Sequence, residues 1–135
     1  MKSIPTVQKY MTTQPHTIGY DQTIAKAKDM MAEHHIRHLP VLKAGKLVGI
    51  LSDRDVKFIM TFKDTDPQKT YIYEVYTELP YSVDPEAKLD EVAANMAEKK
   101  YGSALVVSND KLVGIFTEVD AMRALSDLLQ TRLKN

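Results

Sequence analysis

The sequence predicts an α/β (α+β) fold of two tandem units, each with the element order β-α-β-β-α. The pentapeptide KLVGI occurs twice, at residues 46–50 and 111–115. Other residues are identical at the same offset of 65 positions, and both copies lie between an apolar strand pattern and a helix start signal. Because two copies are too few for a solenoid, we expect two similar units related by a pseudo-twofold axis.

The first unit is predicted to begin with an extended piece at residues 16–18. A helix follows, because apolar residues recur with helical spacing at Ile24, Ala27 and Met31. Strands at 38–43 and 46–51 are joined by the turn-forming pair Ala44-Gly45. A second helix from about Asp53 to Phe62 closes the unit.

The second unit repeats this order, starting with an extended piece at residues 81–83. Its first helix carries the apolar positions Leu89, Val92, Ala93 and Met96. Strands at 103–107 and 111–116 flank a turn at 108–110, and a helix covers 118–133. The apolar stripe of this last helix is longer than one small unit needs, which predicts a homodimer: Met122, Leu125, Leu129 and Leu133.

A polar, proline-containing stretch between the units, TFKDTDPQK, indicates a linker. We therefore predict a first unit at 1–62, a linker at 63–70 and a second unit at 71–135, together forming one compact module.

Composition narrows the function classes. Lys plus Arg equals Asp plus Glu, at 18 each, which argues against binding to nucleic acid or to an anionic membrane. The chain has no cysteine, which excludes disulfides, thiolate metal sites and cysteine nucleophiles. The N-terminus lacks an apolar signal segment and no apolar run is long enough to span a membrane. We therefore expect a cytoplasmic protein with no membrane partner.

Both repeated phrases end in a hydroxyl residue, two variable residues and an aspartate: Ser52 with Asp55, and Thr117 with Asp120. The structural interpretation is a capping box at the start of a helix. The functional interpretation is a ligand site, because a helix start attracts anions, a hydroxyl can bond phosphate and a carboxylate can accept both hydroxyls of a ribose. Gly49 and Gly114 would let a ligand approach the backbone. A cap can be recruited by a ligand, so both interpretations stay open.

The patterns IRHLPV…GKLVGILSDRD and YGSALVV…DKLVGIFTEVD resemble a pair of cystathionine-β-synthase (CBS) domains, also called a Bateman module. The resemblance covers essentially the whole chain, including the lead-ins YMTTQP and VYTELP. It implies a regulatory, energy-sensing module that binds AMP, ADP, ATP or sometimes S-adenosylmethionine in clefts between the units. The chain has no room for an attached domain, so we expect a stand-alone pair that needs no cofactor and acts on an unidentified regulated protein.

The family motif G-h-x-[ST]-x-x-D maps onto both copies completely, at Gly49, Ser52 and Asp55 and at Gly114, Thr117 and Asp120. The resemblance implies that the hydroxyls of Ser52 and Thr117 contact phosphate, and that Asp55 and Asp120 hold the ribose. It implies that the clefts are lined from the first strands by Thr17, Ile18, Ser82 and Val83. It also implies that adenine is flanked by His38, Leu39, Pro40, Ser103, Ala104 and Leu105.

The two copies differ in their arginines. Arg37 and Arg54 are matched by Gly102 and Val119 in the second copy. Because guanidinium groups favour phosphate, we expect stronger phosphate binding by the first copy. The alternative, that both arginines are solvated surface residues, stays open.

Other motifs were weighed against simpler explanations. His34 and His38 have the spacing of a helical metal pair, but the helix should end near Ile36 and no third ligand is near, so we predict no metal site. A tyrosine cluster could stack on bases or pack the linker against a sheet: Tyr71, Tyr73, Tyr76 and Tyr81. No nucleophile–base pattern is visible, so we predict no enzyme activity. The rival interpretations are a scaffold whose motifs are only caps, and a nucleic-acid-binding protein.

Overall fold

A computed structural model describes residues 3–78 and 80–133. Contacts divide these residues into two compact units, one of 15–78 with Pro80 and one of 3–14 with 81–133. The predicted order β-α-β-β-α is found in both units, so the predicted α/β (α+β) fold of two tandem units is confirmed.

The elements follow one another in chain order. They are α1 (Val7–Tyr10), β1 (Thr12–Thr13), β2 (Ile18–Gly19), α2 (Ile24–His34), β3 (His38–Lys43), β4 (Lys46–Ser52), α3 (Asp53–Ile59), a 3-10 turn (Ile72–Glu74), β5 (Thr77–Glu78), β6 (Ser82–Val83), α4 (Leu89–Lys99), β7 (Ser103–Ser108), β8 (Lys111–Thr117) and α5 (Glu118–Arg132). In the part of the chain that the structure describes, none of these helices has the length and apolarity needed to cross a membrane.

The unit of residues 15–80 is built on a sheet of strand order β2-β3-β4-β5. Strand β2 runs parallel to β3, and the other neighbours are antiparallel. The β3–β4 hairpin turns through Ala44 and Gly45, whose φ angles of 51° and 78° are those of a tight hairpin turn. The core of the unit consists of buried residues of the sheet and helices: Ile18, Ile24, Ala27, Met31, Leu39, Val41, Leu51, Val56 and Ile72.

The other unit has the matching sheet β1-β8-β7-β6. Its hairpin turns through Asn109 and Asp110, at φ angles of 52° and 63°, so the turn is two residues long and Ser108 still belongs to β7. Asparagine and aspartate tolerate this left-handed backbone better than other non-glycine residues. The core includes Val7, Leu89, Val92, Met96, Ala104, Val106, Phe116 and Ala124.

Helix α3 ends at Ile59 and not at Phe62, so it is shorter than predicted. The hydroxyls of Thr61 and Thr65 donate to the carbonyls of Phe58 and Ile59, at 2.6 and 3.1 Å, and so take up helix-end acceptors. The prediction for this boundary was therefore wrong by one turn.

The lead-in segments pack on sheets that the repeat alone does not assign to them. Residues 3–14 precede the first repeat, yet β1 pairs with β8 of the second. Strand β5 precedes the second repeat, yet it pairs with β4 of the first. The predicted boundaries 1–62, 63–70 and 71–135 stay a prediction about the sequence units. Their ends at residues 1–2 and 134–135, and position 79 in the second lead-in, lie outside the described residues.

Candidate functional site

The first motif forms a complete capping box at the junction of β4 and α3. The backbone N–H of Asp55 donates to Ser52 Oγ, and the N–H of Ser52 donates to Asp55 Oδ2, both at 3.0 Å. Ser52 has extended φ and ψ angles of −103° and 159°, as an N-cap residue should. The prediction of a capping box is confirmed for this copy.

The second motif forms the same box at the junction of β8 and α5. The N–H of Thr117 donates to Asp120 Oδ2 at 2.9 Å, and the N–H of Asp120 donates to Thr117 Oγ1 at 3.4 Å. The Thr117 hydroxyl also lies 3.2 Å from Asp120 Oδ2. Both copies thus place a hydroxyl and a carboxylate together at a helix start.

The two carboxylates have different surroundings. Asp120 is only 4% exposed, whereas Asp55 is half-buried. The Thr12 hydroxyl lies 3.1 Å from Asp120 Oδ1 and 3.2 Å from Oδ2, and Arg123 Nη1 lies 3.5 Å from Oδ1. Among the described residues, the Asp55 carboxylate accepts a hydrogen bond from Ser52 N–H alone.

Thr12 lies near Asp120 because residues 3–14 pack against residues 81–133 in the same unit. Val7 is fully buried, and its N–H donates to the carbonyl of Ala87 at 2.8 Å. The Tyr10 hydroxyl donates to Asp127 of α5, and this bond, with smaller contributions from burial and from the charge of the carboxylate, raises the pKa of Tyr10 above its ordinary value.

Residues of the lead-in segments fill the space beside the glycine of each motif. A Cβ on Gly49 would overlap the ring of Tyr76 and the carbonyl oxygen of Thr77. A Cβ on Gly114 would overlap the Met11 sulfur. Met11 and Tyr76 lie 65 positions apart, at equivalent places in the repeat. The interpretation that these glycines admit a ligand is therefore wrong, because the chain itself occupies the space.

The strand register brings two of the six predicted adenine-flanking residues opposite the hydroxyl residues of the motifs. His38 lies opposite Ser52, and Ser103 lies opposite Thr117, at equivalent positions of the two hairpins. The side chains next along the strands belong to the buried core: Leu39, Pro40, Ala104 and Leu105. These four positions can therefore offer a ligand their backbone but not their side chains in this conformation.

The predicted cleft residues of the first strands lie on or next to β2 and β6, which pair with β3 and β7. Ile18 is opposite Val41, and Ser82 is opposite Leu105. Ile18 is buried, Thr17 and Val83 are half-buried, and Ser82 is exposed. Their roles toward a ligand stay a prediction.

Arg37 and Arg54 are both exposed, and neither forms an ion pair within the described residues. The carbonyl of Arg37 accepts from Asp53 N–H at 2.7 Å, so its backbone is tied to the start of α3. Either guanidinium is free to meet an anion, and either can equally remain solvated.

Two pairs of aromatic rings stack that the sequence did not predict. The Tyr81 and Tyr101 rings stack with centroids 4.9 Å apart, and the His16 and His34 rings stack at 3.7 Å. Tyr101 was not singled out from the sequence, since nothing in its local pattern marks it. Thr12 was also missed, although its identity with Thr77 at the repeat offset was a visible signal.

The tyrosines that follow the predicted linker, Tyr71, Tyr73 and Tyr76, pack within the unit of residues 15–80. The Tyr71 and Tyr73 rings stack at 5.4 Å, and the Tyr73 N–H donates to the carbonyl of Tyr20. Tyr76 packs against that unit's core. Base stacking by any of these rings stays a prediction.

The histidine pair does not keep helical spacing. Helix α2 ends at His34, His35 caps it in a left-handed conformation, and His38 begins β3. Within residues 3–78 and 80–133, no group of three or more metal-ligating side chains is found.

A groove of about 660 Å³ lies between α2 and α3. Its lining includes the apolar side chains of Met31, Val56 and Met60, together with Arg37. Asp53, which lies between the two motif residues in the chain, also lines the groove, whereas Ser52 and Asp55 do not.

Comparison with known proteins agrees with this architecture. The family model of the CBS domain matches residues 7–61 and 72–127. The CBS domain-containing protein YhcV of Bacillus subtilis (strain 168) is 33% identical over 96% of this chain and 86% of its own length.

Two solved structures with this fold contain ligands. The CBS domain pair of protein MJ0100, in complex with 5′-methylthioadenosine and S-adenosyl-L-methionine, has a TM-score of 0.84 and 27% identity, covering 93% of this chain and 98% of that one. CBSX2 in complex with AMP has a TM-score of 0.76 and 25% identity, covering 91% of this chain and 97% of that one. The repeated hairpins, their capped helices and the matching family model together show that this chain belongs to the CBS domain family and carries two CBS domains in tandem.

Proposed function

We propose that this protein is a regulatory module that binds an adenosine nucleotide, AMP, ADP or ATP, at its two hydroxyl–carboxylate motifs. The observation that carries the proposal is the structure of those motifs. In each unit a hydroxyl and a carboxylate stand together at a helix start, opposite the first residue of the neighbouring strand. The ligands of MJ0100 and CBSX2, two structures of the same fold, support an adenosine-containing ligand.

The residue types suit the parts of such a ligand. Ser52 and Thr117 can donate to phosphate oxygens, and Asp55 and Asp120 can accept from ribose hydroxyls. Backbone groups of β3 and β7 suit the polar rim of adenine. Arg37 and Arg54 add phosphate affinity to the first copy, which favours the more highly charged nucleotides there, whereas Arg123 at the second copy is paired with Asp120.

The proposed role is regulatory and not enzymatic, in the cytoplasm, with an unidentified protein that responds to the bound nucleotide. Helix α5 provides a surface for pairing two copies, since its apolar side chains stand in solvent: Met122 at 64% exposure, Leu125 at 49%, Leu129 at 48% and Leu133 at 71%. Nucleotide binding would act by favouring one arrangement of such a homodimer over another.

S-adenosylmethionine is the second candidate ligand, and the MJ0100 complex favours it. Its sulfonium tail would suit the second copy, where Gly102 and Val119 replace the arginines. The scaffold alternative is favoured by the capping boxes, which are complete without any ligand.

Isothermal titration calorimetry with AMP, ADP, ATP and S-adenosylmethionine tests the proposal. We expect saturable binding that Asp55→Ala or Asp120→Ala abolishes at the copy it alters. Asp53→Ala and Glu118→Ala are matched controls, because each removes one carboxylate from the same helix turn without touching the motif. Binding that is lost equally in the controls, or heat with none of the four ligands, would contradict the proposed function.

A further inference from the structure

The Thr12 hydroxyl contacts both carboxylate oxygens of Asp120, the residue that holds the ribose under the proposed function. It bridges both carboxylate oxygens, at 3.1 and 3.2 Å, from a residue 108 positions away in the chain. A ribose diol held by this carboxylate would donate to the same two oxygens. Ligand and Thr12 therefore compete for one set of acceptors.

The two motif carboxylates differ in how many hydrogen bonds they already accept. A carboxylate has about four lone-pair positions. Asp120 already receives the Thr117 N–H, the Thr117 hydroxyl and the bridging Thr12 hydroxyl, and it pairs with Arg123.

The first copy keeps most of its acceptor positions open. Asp55 receives one hydrogen bond among the described residues, from Ser52. Thr77 is the counterpart of Thr12 in the repeat, and it is exposed on β5, yet no hydrogen bond joins it to the Asp55 carboxylate. The two threonines are equivalent in sequence and different in contact.

Several independent contacts hold Thr12 in place. Thr12 and Thr13 pair with Ile115 and Gly114 on β8. Further toward the N-terminus, Tyr10 donates to Asp127 and Arg132 donates to the carbonyl of Ser3 at 2.8 Å. Because the segment is already ordered, the hydroxyl meets the carboxylate at high effective concentration.

We propose that Thr12 decides which motif fills first: nucleotide binds at the Asp55 motif, and reaches Asp120 only by displacing the Thr12 hydroxyl. This inference rests on the proposed nucleotide function and adds to it an order of occupancy. It makes Thr12 an affinity-determining residue of a site to which the motif pattern does not assign it.

The test is calorimetric titration with AMP in the Asp55→Ala background, where only the second motif remains. We expect Thr12→Val to lower the Kd for AMP about tenfold, the change that corresponds to one competing hydrogen bond of about 1.4 kcal/mol. Thr12→Ser keeps the hydroxyl and should leave the Kd as in the parent. Thr77→Val is the matched control and should also leave it unchanged.

The outcomes separate this inference from the function on which it rests. Unchanged or weaker AMP binding by the Thr12→Val variant would overturn the inference alone, as would two equal binding events in the unaltered chain. A Thr12 with only a structural role would lower stability without tightening binding. No heat from any variant with AMP, ADP, ATP or S-adenosylmethionine would overturn the proposed function and the inference together.

Discussion

Replacing Asp120 by alanine should destabilise the protein far more than the same change at Asp55. Both changes remove the reciprocal half of a capping box, worth about 1 kcal/mol. Asp120→Ala also removes the Thr12 bridge, a charge-assisted bond worth about 1 to 2 kcal/mol, in a position that is 4% exposed. We therefore expect a loss of about 2 to 3 kcal/mol at position 120 and about 1 kcal/mol at position 55.

The assay is urea unfolding at neutral pH, followed by circular dichroism and by tyrosine fluorescence, since the chain has seven tyrosines and no tryptophan. Coincident transitions by both probes are needed before free energies are compared. A double-mutant cycle between Thr12→Val and Asp120→Ala should give a coupling of about 1 kcal/mol. Equal losses at positions 55 and 120, or a coupling near zero, would refute the contact-based reasoning.

Three further outcomes follow from the structure. Tyr10→Phe should cost about 1 kcal/mol near neutral pH through loss of the hydrogen bond to Asp127. Because the pKa of Tyr10 is raised in the folded protein, that stability is present below the unfolded tyrosine pKa of about 10 and is lost as pH rises through the higher folded one; a difference between the urea midpoints of the two proteins that stays constant as the pH rises above about 10 would contradict this. Gly49→Ala should cost about 1 to 3 kcal/mol because its new Cβ would overlap the backbone oxygen of Thr77, and thermal melts in which Gly114→Ala, whose Cβ would meet the flexible Met11 side chain, costs as much would argue against a specific backbone clash. Leu129→Glu on the exposed face of α5 should turn a dimer into a monomer in sedimentation velocity with an unchanged circular dichroism spectrum, and a monomeric parent protein at tens of micromolar would remove the homodimer hypothesis.

The sequence was sufficient for the elements whose signals are local. Periodic apolar residues such as Leu89 and Met96 predicted α4, and the turn-forming pair Ala44-Gly45 between two apolar runs predicted a hairpin, because both signals depend on neighbours within a few residues. The capping boxes were predictable for the same reason, since Ser52 and Asp55 are three residues apart.

Contacts between distant residues could not be predicted in this way. The packing of Met11 on Gly114 depends on tertiary structure, and a glycine looks the same in sequence whether a ligand or a side chain fills its space. The contrast between Thr12 and Thr77 is likewise invisible, because identical residues at equivalent positions make different contacts. Helix α3 ends earlier than predicted because the hydroxyls of Thr61 and Thr65 compete for its last carbonyls.

The pairing of β1 with β8 also sets the order in which the chain can fold during synthesis. Residues 3–14 are synthesised well before β8, so their sheet is complete only after Thr117 has been made. The unit of residues 15–80, by contrast, has all its strands in one continuous stretch. We therefore expect residues 15–80 to fold first. Residues 3–14 would stay unpaired until β8 has been synthesised, and Val7 and Met11 would be exposed to chaperones and proteases during that time.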